Sequence, residues 1–266
     1  MSQLIKPQIQ WTPEKIQLLK DEYPLGDKNQ LAKKLGIKRS TLKEAARRFK
    51  IKSLIDKRKY KASKLLNDSL ESYYWHGFII ADGHIGKRNN IKITVSPKDE
   101  GHLIKFRNFL EVEQPIKHNI QNTTYANNTE SVTISISDVN TCEQLRNLYK
   151  VGHTKTINPP NLLKILNDSD KFVSFFFGLF DGDGCFCMQK SKVVAMKFEL
   201  HSSWMEVLES IKIALEKHFK IESIISMTSR GYSKLMIYKN ENFRKFKNLT
   251  LDMNIPVMER KWNKLI

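Results

Sequence analysis

Hydrophobic positions follow two different periods in two regions of this chain. Residues 10–50 show the helical one. Thr12-Pro13-Glu14 offers an N-cap, a first-turn proline and an early acid, predicting a helix to about Tyr23 that Pro24 and Gly26 stop. Asp27 is placed to cap a second helix, Lys28 to Leu35, with Gly36 ending it. Ser40 is placed to cap a third, Thr41 to Phe49, with Leu42, Ala45, Ala46 and Phe49 inward and Lys43, Arg47 and Arg48 outward. From residue 67 the spacing changes. A strongly apolar helix is followed by strict alternation, Ile91, Ile93 and Val95 against Lys92, Thr94 and Ser96. The same order returns later, with Val194, Met196, Phe198 and Leu200 against Ala195, Lys197, Glu199 and His201. Period two over this length predicts strands with one wet face.

The two passages are copies of one unit. SLESYYWHGFIIADGHI and DKFVSFFFGLFDGDGCF place Asp82 and Asp183 at corresponding positions. In both copies the pattern predicts an amphipathic helix next (99–110 and 203–218). Two strands follow (116–121 and 130–137; 222–228 and 233–239), then a closing helix (138–149 and 240–252). The expected fold is α+β: two pseudosymmetric αββαββα halves behind a small all-α domain. The expected boundaries are 1–50 for the helical domain, 51–66 for a linker, 67–160 for the first half and 161–266 for the second.

Charge narrows the class of partner. The chain has 266 residues, with 45 Lys plus Arg against 28 Asp plus Glu, a formal charge of +17. Eighteen of those bases but only six of the acids lie in residues 1–66. Such clustering points to a polyanion, nucleic acid before membrane. Residues 50–66 carry seven bases and one acid and read as a segment following a phosphate backbone. Three cysteines give neither a disulfide framework nor a four-ligand zinc set, which fits a reducing compartment. The first ten residues lack the apolar core of a signal peptide, and the longest apolar run is too short to span a membrane. A cytoplasmic monomer is expected, and richness in Lys, Ile and Asn fits an AT-rich bacterial, phage or organellar genome.

The chemistry is concentrated where the apolar helices end. WHGFIIADG (75–83) and FFGLFDGDG (176–184) share glycine at the third place, a small residue at the seventh, aspartate at the eighth and glycine at the ninth. Gly77 and Ala81, like Gly178 and Gly182, are four apart and share a helix face, so two backbones could approach closely there. Gly83 and Gly184 suit the left-handed position that ends a helix. Packed across a pseudo-dyad, the helices would bring out Asp82 and Asp183 together at two negative dipole ends. Two carboxylates there repel, and divalent cations such as Mg²⁺ would relieve the repulsion. His76, on the first of these helices, reads as a packed or hydrogen-bonded residue.

These paired motifs, with the hairpin and helix order behind each, resemble the single-chain, two-motif form of the LAGLIDADG homing endonucleases over about residues 67–266. ITVSPKDEGHLIKF (93–106) resembles the family's strand-to-helix turn. The resemblance implies a site-specific, double-strand DNA endonuclease that uses Mg²⁺, with two or more cations held by Asp82, Asp183 and the carbonyls of Ala81 and Gly182. It implies a helix seam at Gly77, Ala81, Gly178 and Gly182, and a saddle of sheets on DNA. A basic residue is expected near each metal: Lys155 in the first copy, and Arg260 or Lys261 in the second, of which Lys261 is preferred. Base-edge readout falls to Lys92, Thr94, Ser96, Thr133, Ser135, Lys197, Glu199, His201, Lys234 and Tyr238. Ile80 departs from the family's sixth place, where the second copy has Asp181. The family also includes intron RNA maturases, and a non-cleaving DNA-binding regulator is a further alternative; an intron or intein setting would fit homing. LAKKLGIKRSTLKEAARRF (31–49) resembles a helix-turn-helix, which implies DNA contacts from Arg39, Lys43, Arg47 and Arg48.

Overall fold

The computed structural model describes residues 9–53, 59–121, 128–152 and 154–265. The chain divides into two units, Met1–Arg58 and Lys59–Ile266.

The first unit contains α1 (Pro13–Glu22), α2 (Lys28–Lys34) and α3 (Arg39–Arg48). Thr12 and Asp27 cap the first two as their positions predict, and Gly36 takes φ +65° after the second. Ser40 does not cap the third. That helix begins two residues earlier, behind Lys38, with no side-chain cap, and so Ser40 lies inside its first turn. Leu19, Leu31, Ala32, Leu42 and Ala45 form the core, with Trp11 and Phe49 packed on it. Arg39, Lys43, Arg47 and Arg48 are all exposed.

The second unit repeats one topology. Its first half runs α4 (Leu70–Ala81), β1 (Gly83–Gly86), β2 (Asn90–Val95), α5 (Glu100–Phe109), β3 (Lys117–Gln121), β4 (Thr129–Ser137) and α6 (Val139–Tyr149). Its second runs α7 (Ser169–Asp183), β5 (Gly184–Gln189), β6 (Lys192–His201), α8 (Met205–Phe219), β7 (Ser223–Met227), β8 (Tyr232–Ile237) and α9 (Asn240–Asp252), with a terminal turn, α10 (Glu259–Trp262). The sheets are antiparallel, ordered β1-β2-β4-β3 and β5-β6-β8-β7. Matching registers, Gly83 on Ile93 on Ile134 and Gly184 on Phe198 on Leu235, express the duplication. One face of each sheet meets the helices through rows such as Ile91, Ile93 and Val95. Rings from Phe176, Phe180, Phe186, Phe198, Phe246 and Trp262 fill the second half.

Three expectations need correction here. The stretch 59–66 is no linker: Ala62 and Leu65 are buried in the core, and the Lys61 amide donates to Leu110 O at 2.7 Å. Apolar positions three apart in a short 3₁₀ helix carry it onto the fold, whereas 54–58 lie outside the described residues. The register of β5 on β6 shifts between Cys187 and Met188, so Val193 packs on the core where alternation predicts Val194, which is 41% exposed. A bulge adds one residue and displaces the pattern behind it. Gly83 and Gly184 are not left-handed; the latter has φ −84° and ψ 160°. Both open a strand, and closeness explains them. A Cβ would lie 2.7 Å from Ile79 O at Gly83 and 2.1 Å from the Phe180 ring at Gly184. Among the described residues no helix is long and apolar enough to cross a membrane.

Candidate active site at the helix seam

Helices α4 and α7 meet face to face, and glycine makes the meeting possible. A Cβ on Gly77 would sit 2.0 Å from Phe175 O, one on Gly178 1.9 Å from Tyr74 O, and one on Gly182 2.2 Å from the Ala81 Cβ. Under 3 Å there is no room for a methyl group, so the seam is a backbone-to-backbone contact. Gly77, Ala81, Gly178 and Gly182, the four residues expected at the interface, all lie on it.

The seam carries both motif aspartates to one place. Asp82 is the C-cap of α4, and Asp183 is the last residue of α7. Both side chains are open to solvent on one side, with the helix ends crowding the other. Desolvation and the charge of Asp183 push the Asp82 carboxyl up to about 6, and desolvation raises Asp183 as well. Two carboxylates held together against their own repulsion are unusual as plain architecture.

Two lysines answer that charge. Lys155 Nζ donates to the carbonyls of Ile79, Ile80 and Ala81 at the end of α4. Lys261 Nζ donates to the carbonyls of Phe180 (3.0 Å), Asp181 (2.5 Å), Gly182 (3.2 Å) and Gly184 (2.7 Å) at the end of α7. Each ammonium thus satisfies carbonyls that a helix C-terminus leaves open. Burial pulls Lys155 down to about 8 against the raising pull of Asp183 and then Asp82, and it lowers Lys261 against Asp181 and Asp82. Both lysines lower both carboxyls against the desolvation that raises them. Of Arg260 and Lys261 it is Lys261 that reaches the end of α7, while Arg260 turns away to form a two-bond pair with Asp99 at 2.7 and 2.9 Å.

The lysine segments are themselves held from the opposite half. Thr156 O, next to Lys155, accepts from Ser203 Oγ (3.0 Å) and Trp204 Nε1 (3.1 Å). The stretch before Lys261 is held by Asp99 on Arg260 and by Lys105, whose Nζ donates to Val257 O (3.0 Å) and Glu259 Oε1 (2.9 Å). Ser203 and Trp204 carry no motif; Asp99 and Lys105 lie in the stretch 93–106, but only the tertiary structure shows what they hold.

The donor set suits a hard divalent cation: two carboxylates open to solvent, beside the carbonyls of Ala81 and Gly182. Those carbonyls accept from Lys155 and Lys261 here and keep a second lone pair each. Among the described residues there is no cluster of three or more His, Cys, Asp or Glu side chains that could hold a metal. A cation here would therefore draw on carbonyl, water or phosphate oxygen as well.

The open sheet faces lie to either side in sequence register. Lys92, Thr94, Ser96 and Ser135 are exposed, and Lys197, Glu199, His201 and Lys234 are half-buried. Tyr238 is exposed just beyond β8. Lys92 stands opposite His84 and Lys197 opposite Cys185, each partner lying two residues past a motif aspartate. Thr133 is on this face but only 6% exposed; its hydroxyl is taken by Thr94 Oγ1 (2.9 Å) and Asn119 Nδ2 (3.2 Å), so it is not free for readout as predicted. Glu199 bonds Lys197 (2.8 Å) and Arg230 (2.9 Å), and Arg230 is a basic group that alternation does not reveal because it lies in a turn. His76 is internal, Nδ1 on Tyr149 Oη (2.8 Å) and Nε2 on Leu65 O (2.7 Å).

Comparisons with known proteins agree with this picture. Residues 171–250 match a family model described as a LAGLIDADG-like domain. The fold is similar to that of the homing endonuclease I-WcaI bound to its DNA recognition sequence, with TM-score 0.58 and 18% identity over 76% of this chain and 87% of that one. It is also matched to the N-terminal LAGLIDADG domain of DUF199/WhiA, with TM-score 0.44 and 20% identity over 71% of this chain and 86% of that one. No curated protein sequence matches the chain. Residues 171–250 thus resemble a LAGLIDADG-like domain, and the α+β fold is the one seen in the homing endonuclease I-WcaI.

Proposed function

We propose that the protein is a site-specific endonuclease that hydrolyses both strands of duplex DNA and depends on a divalent cation such as Mg²⁺. The observation that carries this reading is the presence of both aspartates, each beside a half-buried lysine, at the ends of two helices packed on one seam. A fold kept only for binding has no use for two repelling carboxylates.

Asp82 and Asp183 would hold the cations, with Ala81 O and Gly182 O as further oxygen donors. Bound there, such ions would supply an activated water and offset charge on the phosphate. Lys155 and Lys261 hold positive charge at the same place, where a phosphodiester gains negative charge on its way to cleavage. A Lys155 ammonium brought down to about 8 remains protonated at neutral pH and is able to pass a proton to a leaving oxygen. The open sheet faces, with Lys92, Lys197, Lys234 and Arg230, suit a major groove, and the surplus of base suits the phosphate backbone. The N-terminal three-helix unit would add a second grip through Arg39, Lys43, Arg47 and Arg48 on α3.

The test is digestion of host genomic DNA by the full chain with Mg²⁺ or with EDTA, followed by mapping of the ends. Recurrent double-strand ends with short 3′ overhangs, present only with metal, are expected. Tight binding to one duplex site with no cut under any divalent metal would instead favour a DNA-binding regulator, and selective binding of structured RNA would favour a maturase.

A further inference from the structure

Asp181 breaks the symmetry of the seam. Its counterpart in the first half is Ile80, an ordinary core residue, 3% exposed. Asp181 is 1% exposed and fully engaged. Oδ2 accepts from Tyr74 Oη (2.6 Å) and from the Met258 amide (2.7 Å), and Oδ1 accepts from Trp262 Nε1 (2.7 Å). Tyr74 has one hydroxyl proton and gives it to Asp181, so His102 Nε2, 3.0 Å away, donates to the tyrosine oxygen. Asp181 therefore grips α10 at both ends, through the N-cap residue Met258 and the last residue Trp262. Lys261 lies between these two points and returns to Asp181 through its main-chain oxygen at 2.5 Å.

We infer that Asp181 is the positioning residue for Lys261: its carboxylate fixes the terminal turn so that the Lys261 ammonium is delivered to the end of α7, beside Asp82 and Asp183. The inference rests on the nuclease reading only for its effect on cutting; the placement of Lys261 stands apart from it. Its corollary is that the two halves hold their lysines by different means. Among the described residues no buried carboxylate holds the Lys155 segment, which is held through Thr156 O by Ser203 and Trp204. Loss of the Asp181 carboxylate should then disturb one lysine and spare the other.

Asp181→Asn tests this directly. An amide replaces one acceptor by a donor, so whichever way it turns, an N–H faces the N–H of Met258 or Trp262. The first readout is acetylation of the full chain by acetic anhydride, without DNA or metal, with each lysine followed by mass spectrometry. Lys261 should label about tenfold faster in the variant, the scale of losing a hydrogen bond to a charged group, with Lys155 unchanged within about twofold. Trp262→Phe keeps an aromatic ring against Phe177, Phe180 and Phe186 but removes one donor. It should show the same selectivity to a smaller degree, and it decides the question should Asp181→Asn fail to fold. Unchanged labelling of Lys261, or an equal rise at Lys155 and Lys261, overturns the inference.

The second readout is strand-resolved cutting of the mapped site in Mg²⁺. Asp181→Asn should slow about tenfold the strand that Lys261→Met slows, so that nicked DNA accumulates, whereas a merely destabilised fold would slow both strands alike. Equal slowing of both strands overturns the inference. A wild-type chain that cuts nothing refutes the nuclease reading, and the labelling still decides the role of Asp181.

Discussion

A methyl group on Gly178 would fall 1.9 Å from the carbonyl oxygen of Tyr74, and one on Gly77 would fall 2.0 Å from that of Phe175. The obstruction is backbone in both cases, so no side chain can yield. Gly178→Ala must push α4 and α7 apart, costing about 3 kcal/mol, the upper end of ordinary overpacking. For a unit of this size that is a fall in Tm of roughly 6–12 °C. Thermal unfolding followed by circular dichroism checks it. Gly101, which has open space around its Cβ position, is the control, and Gly101→Ala should leave Tm within about 2 °C.

Stability and activity should part company at the aspartates. Removing one of two crowded carboxylates relieves repulsion, so Asp82→Asn, measured without metal, should raise Tm slightly or leave it unchanged. The same substitution should abolish cutting of at least one strand, and Asp183→Asn should behave likewise. Plasmid linearisation that survives both single variants at the wild-type rate would refute the site assignment.

The lysines should matter to chemistry more than to affinity. Lys155→Met keeps much of the apolar stem and removes the charge from the end of α4. Cleavage should fall about a hundredfold to a thousandfold, the scale seen when one preorganised donor is lost. Duplex affinity, measured by fluorescence anisotropy in Ca²⁺, should change by no more than about threefold, since one phosphate contact among many is removed. A parallel loss of both would make Lys155 an ordinary backbone contact.

Acid should expose the buried histidine. His76 is held neutral by burial, its pKa brought down to about 4 from an ordinary 6.5. A depressed histidine means the unfolded chain binds the proton first. Its contribution is therefore present above pH 6.5 and is lost as pH falls toward 4, by about 1.4 kcal/mol per pH unit. Asp82 and Asp181, both raised to about 6, act in the opposite direction, because their folded forms take up protons first. The overall profile is a sum, and the difference between wild type and His76→Gln isolates one member. Glutamine is able both to donate to Leu65 O and to accept from Tyr149, so urea denaturation at pH 7, 6 and 5 should show the variant losing less stability on acidification. Parallel profiles would place the proton uptake elsewhere.

The N-terminal unit is expected to act through charge and groove contact. A chain lacking residues 1–50 should bind its duplex site more weakly, protect a shorter footprint and show a shallower dependence of affinity on salt. Replacing Lys43 and Arg48 by alanine together should reduce that salt slope by about two. Nuclease footprinting and titrations at several salt concentrations measure this, and an unchanged footprint after truncation would remove the DNA-binding role from α3.

Much of this protein can be read from its residues one after another. Helical spacing located α1, α2 and α3, and alternation located the strands, because both periods follow from backbone geometry that each segment carries on its own. Duplication then supplied what a single copy lacks: Gly77 with Gly178, and Asp82 with Asp183, recur in one order, so their pairing across a seam could be expected. Lys155 was legible by analogy of position, Lys261 less so, because Arg260 beside it has equal charge.

Other features depended on what folding brings together. The pairing of Asp99 with Arg260 spans the two halves, and only folding makes them neighbours. Thr133 and Ser135 alternate identically in sequence, yet one is sealed by Asn119 from the next strand and the other is open. The bulge at Val194 depends on how β5 lies against β6, and the extended backbone of Gly184 on the Phe180 ring beneath it. Asp181 is the sharpest case. In sequence it is the acid that the first copy lacks. Folding surrounds it with Tyr74, Met258 and Trp262 and makes it the anchor of the turn that carries Lys261. Local pattern determines which segments are helix or strand because its cause is local. Which carboxylate faces solvent and which is buried among donors is decided by the tertiary structure, because desolvation and hydrogen bonding depend on neighbours distant in the chain.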